Sequence, residues 1–202
     1  MLKSHTGKVT QGIFDLSGTK AYSCGFDSTL RTWDVELGIC IDTIVCAIPS
    51  VQSLAEHPCQ TAPSRPMTGL AQTADRSRIL ASSADRFVTV YDPREAPTIT
   101  GPPLLLSHPA LPSSVSTHPT DSNKAITGAY DGVVRIWDLR STKSAITAFE
   151  ITGRSRESRK NVQPVDRRKK IMSVDWGHEI IGVAGETGFE IWRINDQGEA
   201  VQ

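Results

Sequence analysis

A short pattern of residues returns four times along the chain and limits what the chain can fold into. In three copies an Asp lies six residues before an aromatic residue, and a second Asp follows that aromatic residue. The three pairs are Asp27 and Trp33, Asp85 and Tyr91, and Asp131 and Trp137. A weaker fourth copy ends at Trp192 and has Glu186 at the Asp position. Self-similarity at such intervals predicts a series of repeated supersecondary units.

Each copy consists of two short β-rich runs around a tight turn, as in the runs 87–91 and 133–137. Runs that precede the copies supply a further strand for each sheet, at residues 9–14, 67–71, 115–118 and 171–176. No stretch has a helical period. The sequence therefore predicts an all-β chain built from four-stranded sheets.

The composition is that of a folded protein without a global charge. The chain has 202 residues, of which 38% are hydrophobic, and this is enough to form a core. Lys and Arg number 22, as do Asp and Glu. A net charge of zero does not favour nucleic-acid binding through the whole surface, so an electrostatic function must be local.

The four cysteines, at positions 24, 40, 46 and 59, form no Cys-x-x-Cys pair and have no zinc-type spacing. The sequence has no glycosylation sequon and no apolar run near residue 1, so we expect a reducing, intracellular compartment. The longest apolar stretch, 39–48, is too short to span a bilayer.

These residues resemble the WD-repeat β-propeller family, whose repeats of about 40–45 residues end in Trp-Asp. In that family a buried His, Ser or Thr, Asp and Trp form a hydrogen-bonded set within each blade. The resemblance implies two complete sets, His5, Ser23, Asp27 and Trp33, and His108, Thr127, Asp131 and Trp137. The second copy departs from the pattern with Ala81 and Tyr91 beside Asp85, and the last copy retains only Trp192.

The resemblance implies four blades, at approximately 1–45, 46–100, 101–150 and 151–195. Four is fewer than the usual number in this family, so we expect a C-terminal part of a seven-bladed propeller. Wider spacing of the aromatic residues places exposed insertions at approximately 49–66, which is proline-rich, and 154–170.

No motif points to an enzyme. His57, His108 and His118 each precede proline, and Asp27, Asp85 and Asp131 lie at a fixed place in a turn, where carboxylates accept structural hydrogen bonds. No nucleophile elbow, dinucleotide fingerprint or P-loop occurs. We expect no catalytic residue, cofactor, metal site, small-molecule substrate or membrane contact.

The second insertion is strongly basic, with eight basic side chains against Glu157 and Asp166. These are Arg154, Arg156, Arg159, Lys160, Arg167, Arg168, Lys169 and Lys170. Two interpretations stay open: a solvated loop or nuclear import signal, and a surface that contacts RNA phosphates or an acidic partner. The insertion has no aromatic residue for base stacking, so an RNA contact would be tolerant of sequence.

Several segments resemble a narrower group, the WD-repeat ribosome-biogenesis factors that work with pescadillo-type and block-of-proliferation-type proteins on the large ribosomal subunit. The segments are 82–86 with 91–94, 128–131 with Arg140 and Ser141, and 171–176.

This resemblance implies a non-enzymatic scaffold bound to the pre-60S particle, located in the nucleus, nucleolus and nucleoplasm. That group also carries a ubiquitin-like domain that engages the ATPase midasin, and nothing in this chain corresponds to it. The alternative is a propeller that recognises substrates for a ubiquitin ligase or reads peptides in signalling, using arginine and aromatic residues at its central opening.

Overall fold

The fold is all-β in the computed structural model, which describes residues 3–45, 65–93, 104–141, 143–151, 169–186, 188–194 and 200–201. Sixteen strands lie in this part of the chain. No helix long and apolar enough to cross a membrane occurs within these ranges.

The strands form four antiparallel sheets of four strands each. The first sheet contains β1 (Val9–Phe14), β2 (Lys20–Gly25), β3 (Thr29–Asp34) and β4 (Ile39–Val45). The second contains β5 (Met67–Gln72), β6 (Ile79–Ser83), β7 (Phe87–Tyr91) and β8 (Leu104–Ser107). The third contains β9 (Pro112–Thr117), β10 (Lys124–Ala129), β11 (Val133–Asp138) and β12 (Thr147–Glu150). The fourth contains β13 (Ile171–Trp176), β14 (Ile180–Gly185), β15 (Gly188–Ile194) and β16 (Ala200–Val201).

Each sheet is a meander, in which every strand pairs with the next strand along the chain. The first strands of consecutive sheets, β1, β5, β9 and β13, lie side by side and form the inner edge of the array. This is the arrangement of part of a β-propeller, and it confirms the predicted all-β fold with four sheets. The seven-bladed ring stays a prediction.

The sheets differ from the predicted segments at two boundaries. Strand β8 (Leu104–Ser107) pairs with β7 and is the outer strand of the second sheet. The predicted blade boundary near residue 101 places the same residues in the third blade. Strand β16 extends the fourth sheet to Val201, beyond residue 195. The sequence pattern is centred on the aromatic residue of the third strand, so it gives little information about where the outer strand belongs.

Hairpins between the second and third strands explain the repeated Asp. In the first three sheets the loop has three residues, and the third one is left-handed: Ser28, Arg86 and Gly132 have φ of 61°, 73° and 78°. The Asp is the middle residue, and it accepts a backbone hydrogen bond from the first residue of the next strand, as Asp27 does from Thr29 at 3.3 Å.

The fourth hairpin is shorter, because β14 ends at Gly185 and β15 starts at Gly188. Glu186 therefore does not stand at the Asp position. Its N–H donates to the Lys170 carbonyl at 3.1 Å, as the N–H of Phe26, the residue before Asp27, donates to Lys8 at 2.8 Å. Counting back from Trp192 placed Glu186 one position too far along the hairpin.

Three apolar clusters fill the spaces between consecutive sheets. Leu30 of the first sheet lies in a cluster with Met67 and Leu70 of the second. Val88 of the second lies with Trp137 of the third, and Val134 of the third lies with Trp192 of the fourth. The core is therefore a row of similar interfaces between sheets.

Hydrogen bonds between side chain and backbone fix each inner strand to its neighbour. The Thr68 hydroxyl donates to the Pro112 carbonyl at 2.6 Å, and the Ser113 hydroxyl donates to the Ile171 carbonyl at 2.6 Å. These bonds set the register of one sheet against the next, which apolar packing alone does not specify.

Candidate functional site

A relay of three hydrogen bonds connects the strands of the first sheet. The Trp33 indole N–H donates to the Ser23 hydroxyl oxygen at 2.7 Å, and that hydroxyl donates to His5 Nε2 at 2.7 Å. His5 Nδ1–H then donates to Asp27 at 2.9 Å. The structure therefore brings all four residues of the first implied set together.

The Asp27 carboxylate is held ionised by its surroundings. Burial raises the pKa of this carboxyl, but hydrogen bonds from His5, Thr29 and the Thr6 backbone N–H outweigh burial and lower the pKa to about 2. A carboxylate with so low a pKa and so many donors is a poor proton acceptor at neutral pH. Its role is to orient His5 and hold the hairpin.

The third sheet repeats only part of this relay. The Trp137 indole N–H donates to Thr127 Oγ1 at 2.9 Å, and the Thr127 hydroxyl donates to His108 Nε2 at 2.7 Å. His108 Nδ1–H, however, donates to the Leu106 carbonyl at 3.0 Å. Asp131 is held instead by Arg135, at 2.7 and 3.3 Å. The expectation that Asp131 completes this set is wrong, because Arg135 holds its carboxylate.

His108 is neutral at physiological pH. Burial lowers its pKa to about 4, and the Arg135 guanidinium contributes in the same direction. A neutral imidazole agrees with the relay, since Nε2 must accept a hydrogen bond from the Thr127 hydroxyl while Nδ1–H donates one to the Leu106 carbonyl.

In the second sheet an arginine contacts the repeated Asp. Arg65 forms an ion pair with Asp85 at 3.1 Å, and Asp85 also accepts from the Ser83 hydroxyl. The Tyr91 ring is buried in the cluster shared with the first sheet. The repeat pattern did not predict the contact of Arg65. It specifies a histidine at the offset that His5 has in the first set, and Arg65 lies two residues beyond that offset.

The fourth sheet has no relay in the described residues. Val183 stands at the position of Ser23 and Thr127, so it offers no acceptor to Trp192, whose indole nitrogen is buried without a hydrogen-bond partner there. The Trp192 ring packs against Phe149 with centroids 4.7 Å apart.

Most of the basic segment, Arg154, Arg156, Arg159, Lys160, Arg167 and Arg168, lies outside the described residues. The proline-rich insertion also lies outside them, apart from Arg65 and Pro66. Lys169 and Lys170 are described. Lys170 Nζ is 3.6 Å from Glu186 and lies 5.5 Å from the centroid of the Tyr130 ring.

Both flanks of the basic segment lie against the hairpin of the third sheet. The Ile151 N–H donates to the Gly132 carbonyl at 3.1 Å. A Cβ added to Gly132 would lie 2.7 Å from the Lys169 carbonyl oxygen. The two flanks of the segment therefore lie close together, at the edge of the array formed by the hairpin loops.

A groove of about 650 Å³ runs along the inner strands and is lined by polar residues such as Gln11, Ser116 and Asp175 together with apolar ones. No arginine or lysine of the described ranges lines it. The described inner edge therefore lacks the arginines that a reader of phosphorylated peptides would use.

No group of three or more His, Cys, Asp or Glu side chains in the described ranges is arranged to hold a metal ion. The carboxylates Asp27, Asp85 and Asp131 are each engaged by a cationic or imidazole side chain. These contacts fix the strands and hairpins in place.

Comparison with known proteins agrees with the repeat pattern. The family described as "WD domain, G-beta repeat" matches residues 1–34 and 104–138. A protein of Laccaria bicolor named Ribosome biogenesis protein YTM1 is 42% identical over 98% of this chain, and its namesake in Coprinopsis cinerea is 40% identical over 98%. The protein of that name in Saccharomyces cerevisiae is 30% identical over 89% of the chain.

The chain spans only part of these relatives: 38% of the Laccaria and Coprinopsis proteins and 34% of the yeast protein. The two segments that match the family nevertheless contain the relay residues of the first and third sheets. The chain thus belongs to the WD-repeat family and is homologous, over nearly its whole length, to proteins named Ribosome biogenesis protein YTM1.

Proposed function

We propose that this chain is part of a non-enzymatic scaffold in the biogenesis of the large ribosomal subunit and in rRNA processing. The observation that carries the proposal is the 42% identity to a protein named for ribosome biogenesis, over 98% of the chain. The polar residues of the described sheets support a scaffold, since their carboxylates hold strands together and leave no free general base among Asp27, Asp85 and Asp131.

The proposed partners are pescadillo-type and block-of-proliferation-type proteins on the pre-60S particle, and the proposed location is the nucleolus and nucleoplasm. A propeller presents its loops and sheet edges as broad, rigid surfaces, which suits an assembly factor that contacts several partners.

The basic segment 154–170 is proposed as an electrostatic contact with RNA or with an acidic protein surface. Its flanks are fixed at the Gly132 hairpin, so its charge is delivered at one edge of the array. Within the segment, Lys170 already faces Glu186 and the Tyr130 ring, whereas Arg167 and Arg168 are closer to its centre in sequence. We expect Lys170 to contribute less to binding than these two arginines.

The test is sedimentation of the tagged chain with pre-ribosomal particles in a nuclear extract. The chain should co-sediment with pre-60S particles, and depletion of its gene product should cause precursors of the large-subunit rRNA to accumulate. Recovery with a cullin-type ubiquitin ligase, without particle association, would contradict the proposal.

A charge variant, Arg167→Ala with Arg168→Ala, separates the roles of the basic segment. Loss of particle association that is restored at low salt supports a phosphate contact, because each lost contact reduces the number of released counterions. The matched control is Arg76→Ala with Arg140→Ala, which removes two exposed arginines from other loops and should leave association unchanged. Normal particle binding in extract combined with failure to enter the nucleus would assign the segment to nuclear import.

A further inference from the structure

The two ends of the sheets use their charged side chains in different ways. One end, which we call the hairpin end, is formed by the hairpins that contain Asp27, Asp85 and Asp131. The side chains of these residues are only 5%, 11% and 8% exposed, and each is engaged by a histidine or an arginine. The negative charge of the hairpins is therefore buried and compensated, so the exposed side chains decide which potential this end presents.

The second sheet exposes an arginine at the hairpin end. Arg86 is the last residue of its hairpin loop and is exposed, whereas Asp85 beside it forms its ion pair with Arg65. Within the described ranges no carboxylate forms an ion pair with Arg86. The second sheet lies between the first and the third, so this exposure is that of a sheet with a neighbour on each side.

Two lysines hold the same place in the first and fourth sheets. The Lys8 carbonyl accepts a hydrogen bond from the Phe26 N–H at 2.8 Å, and the Lys170 carbonyl accepts one from the Glu186 N–H at 3.1 Å. Both lysines thus lie at the start of an inner strand, beside the hairpin of their sheet, and both are exposed. Exposed cations therefore extend along the hairpin end from the first sheet to the fourth.

The basic segment 154–170 belongs to the same end, because both of its flanks lie against the Gly132 hairpin. The exposed carboxylates Glu150 and Glu186 oppose its charge only in part, since the segment has eight basic residues against two acidic ones. The hairpin end thus combines the charge of the segment with cations that the sheets themselves hold in place.

The opposite end, which we call the turn end, carries acidic groups in the turns between first and second strands. Hydrogen bonds from the Ser17 hydroxyl and from the Ser77 backbone hold the pKa of Asp15 and of Asp75, respectively, below the ordinary value. Both carboxylates are ionised at neutral pH. Arg76 lies in the same region, and its charge also lowers the pKa of Asp15. An arginine at this end therefore faces acidic neighbours, which Arg86 does not.

We propose that the hairpin end is an RNA-binding surface, on which Lys8, Arg86 and the basic segment contact phosphates across several sheets. This inference rests on the electrostatic contact proposed above for the segment, and it assigns the partner to RNA. Single cations spread over separate sheets match a backbone that carries a charge on every residue better than they match one local acidic cluster of a protein. Contacts to phosphates position a nucleic acid without reading its sequence.

The test is the binding of a fluorescein-labelled RNA hairpin to the purified chain, followed by fluorescence anisotropy at several salt concentrations. The affinity of the unaltered chain should fall steeply as salt increases. Arg86→Gly should weaken binding about fivefold at about 0.1 M salt and should reduce the slope of log affinity against log salt by about one, the value for one lost phosphate contact. An unchanged affinity and slope would overturn the proposal.

Arg76→Gly is the matched control at the turn end of the same sheet. Arg76 and Arg86 are both exposed and left-handed, with φ of 62° and 73°. Each substitution copies a glycine that another sheet has at the same place: Gly18 for Arg76 and Gly132 for Arg86. Both variants lose one positive charge and relieve the same backbone conformation, but only Arg86→Gly should weaken RNA binding. Equal losses of affinity would contradict a surface located at the hairpin end.

A competitor distinguishes RNA from an acidic protein surface. Poly-glutamate, added at the same concentration of negative charge as unlabelled RNA, should displace the labelled RNA less effectively than the unlabelled RNA does. Equal displacement would overturn the assignment to RNA and favour an acidic protein as the partner.

The result is separable from particle association. A chain that co-sediments with pre-60S particles while Arg86→Gly binds RNA normally overturns this inference and leaves the proposed function intact. RNA binding that depends on Arg86, in a chain that does not co-sediment with particles, supports the surface and contradicts the proposed function.

Discussion

Arg135 holds Asp131 by two hydrogen bonds, at 2.7 and 3.3 Å, and thereby separates this carboxylate from His108. The side chains of this pair are only 13% and 8% exposed. In the first sheet the residue at the same place, Arg31, donates to the Ser4 hydroxyl and leaves Asp27 to His5. One repeat pattern therefore gives two different electrostatic arrangements, which depend on where a single arginine points.

The first prediction concerns this ion pair. Asp131→Asn should lower the free energy of unfolding by about 2 kcal/mol, because a mostly buried guanidinium loses its charged partner. The double variant Asp131→Asn with Arg135→Met should recover part of that loss, since both charges are then removed. Urea unfolding of both variants measures the difference. The pair Asp138 and Arg140 is the control, because its arginine is 70% exposed, and its double variant should be close to neutral. A double variant less stable than Asp131→Asn alone would contradict the assignment.

The second prediction is a pH dependence that comes from His108. The pKa of this imidazole is about 4 in the folded protein because of its burial, against an ordinary value of 6.5. The folded state thus binds the proton less readily than the unfolded chain. The contribution to stability is complete above pH 6.5, decreases as the pH falls, and is lost near pH 4, a total of about 3 kcal/mol.

Denaturant unfolding between pH 7.5 and 4 tests this sign. The variant His108→Gln should be less stable at pH 7.5 but should show a flatter decrease toward pH 4. NMR titration of the His108 ring protons gives an independent reading. A midpoint near 6.5 for that ring in the folded protein would show that its burial has no such effect.

The third prediction compares two tryptophans that differ in one hydrogen bond. Trp137→Phe removes the indole N–H that donates to Thr127, whereas Trp192→Phe removes an N–H with no partner in the described residues. The first change should therefore cost about 1 kcal/mol more than the second. Thermal or urea unfolding gives the difference directly. Equal losses would mean that the Trp137 bond contributes nothing beyond packing.

A fourth prediction follows from the same relay. Trp137→Ala should destabilise the chain by about 3–5 kcal/mol, and by more than Tyr91→Ala, because it also leaves the Thr127 oxygen without its donor. Matching denaturation midpoints for the two alanine variants would contradict this ranking.

The sequence was sufficient to predict the sheets and one relay, and the reasons lie in particular residues. The spacing from Asp to the aromatic residue is the length of one hairpin arm, so it located β2, β3 and the corresponding strands of the other sheets. The first implied set also meets as the resemblance implied, and it consists of His5, Ser23, Asp27 and Trp33. The spacing could not show that Arg135 forms an ion pair with Asp131, because this contact depends on the direction in which the Arg135 side chain points. It also misplaced Glu186, since counting from Trp192 cannot detect a hairpin shorter by one residue.

Contacts between sheets were beyond the pattern for another reason. The bond from Thr68 to the Pro112 carbonyl joins residues 44 positions apart, and it exists only once two sheets have a fixed register. The Arg65 contact with Asp85 is similar, because the repeat gives no reason to expect a cation at that offset. A repeat pattern thus describes one sheet well and the junction between two sheets poorly.

The last prediction tests whether the third hairpin positions the basic segment. Gly132 has a φ of 78°, and a Cβ there would lie 2.7 Å from the Lys169 carbonyl oxygen. Gly132→Ala must therefore strain the backbone of the hairpin and displace the backbone at Lys169, just before strand β13. Gly18→Ala is a matched control, because Gly18 has a φ of 72° with open space around its Cβ position. The control should cost about 1 kcal/mol for the left-handed conformation alone, and Gly132→Ala should cost more.

Only Gly132→Ala should also weaken association with pre-ribosomal particles, since it moves the point at which the basic segment rejoins the fourth sheet. If the two variants lose the same stability and bind particles equally well, the hairpin does not hold the segment in place.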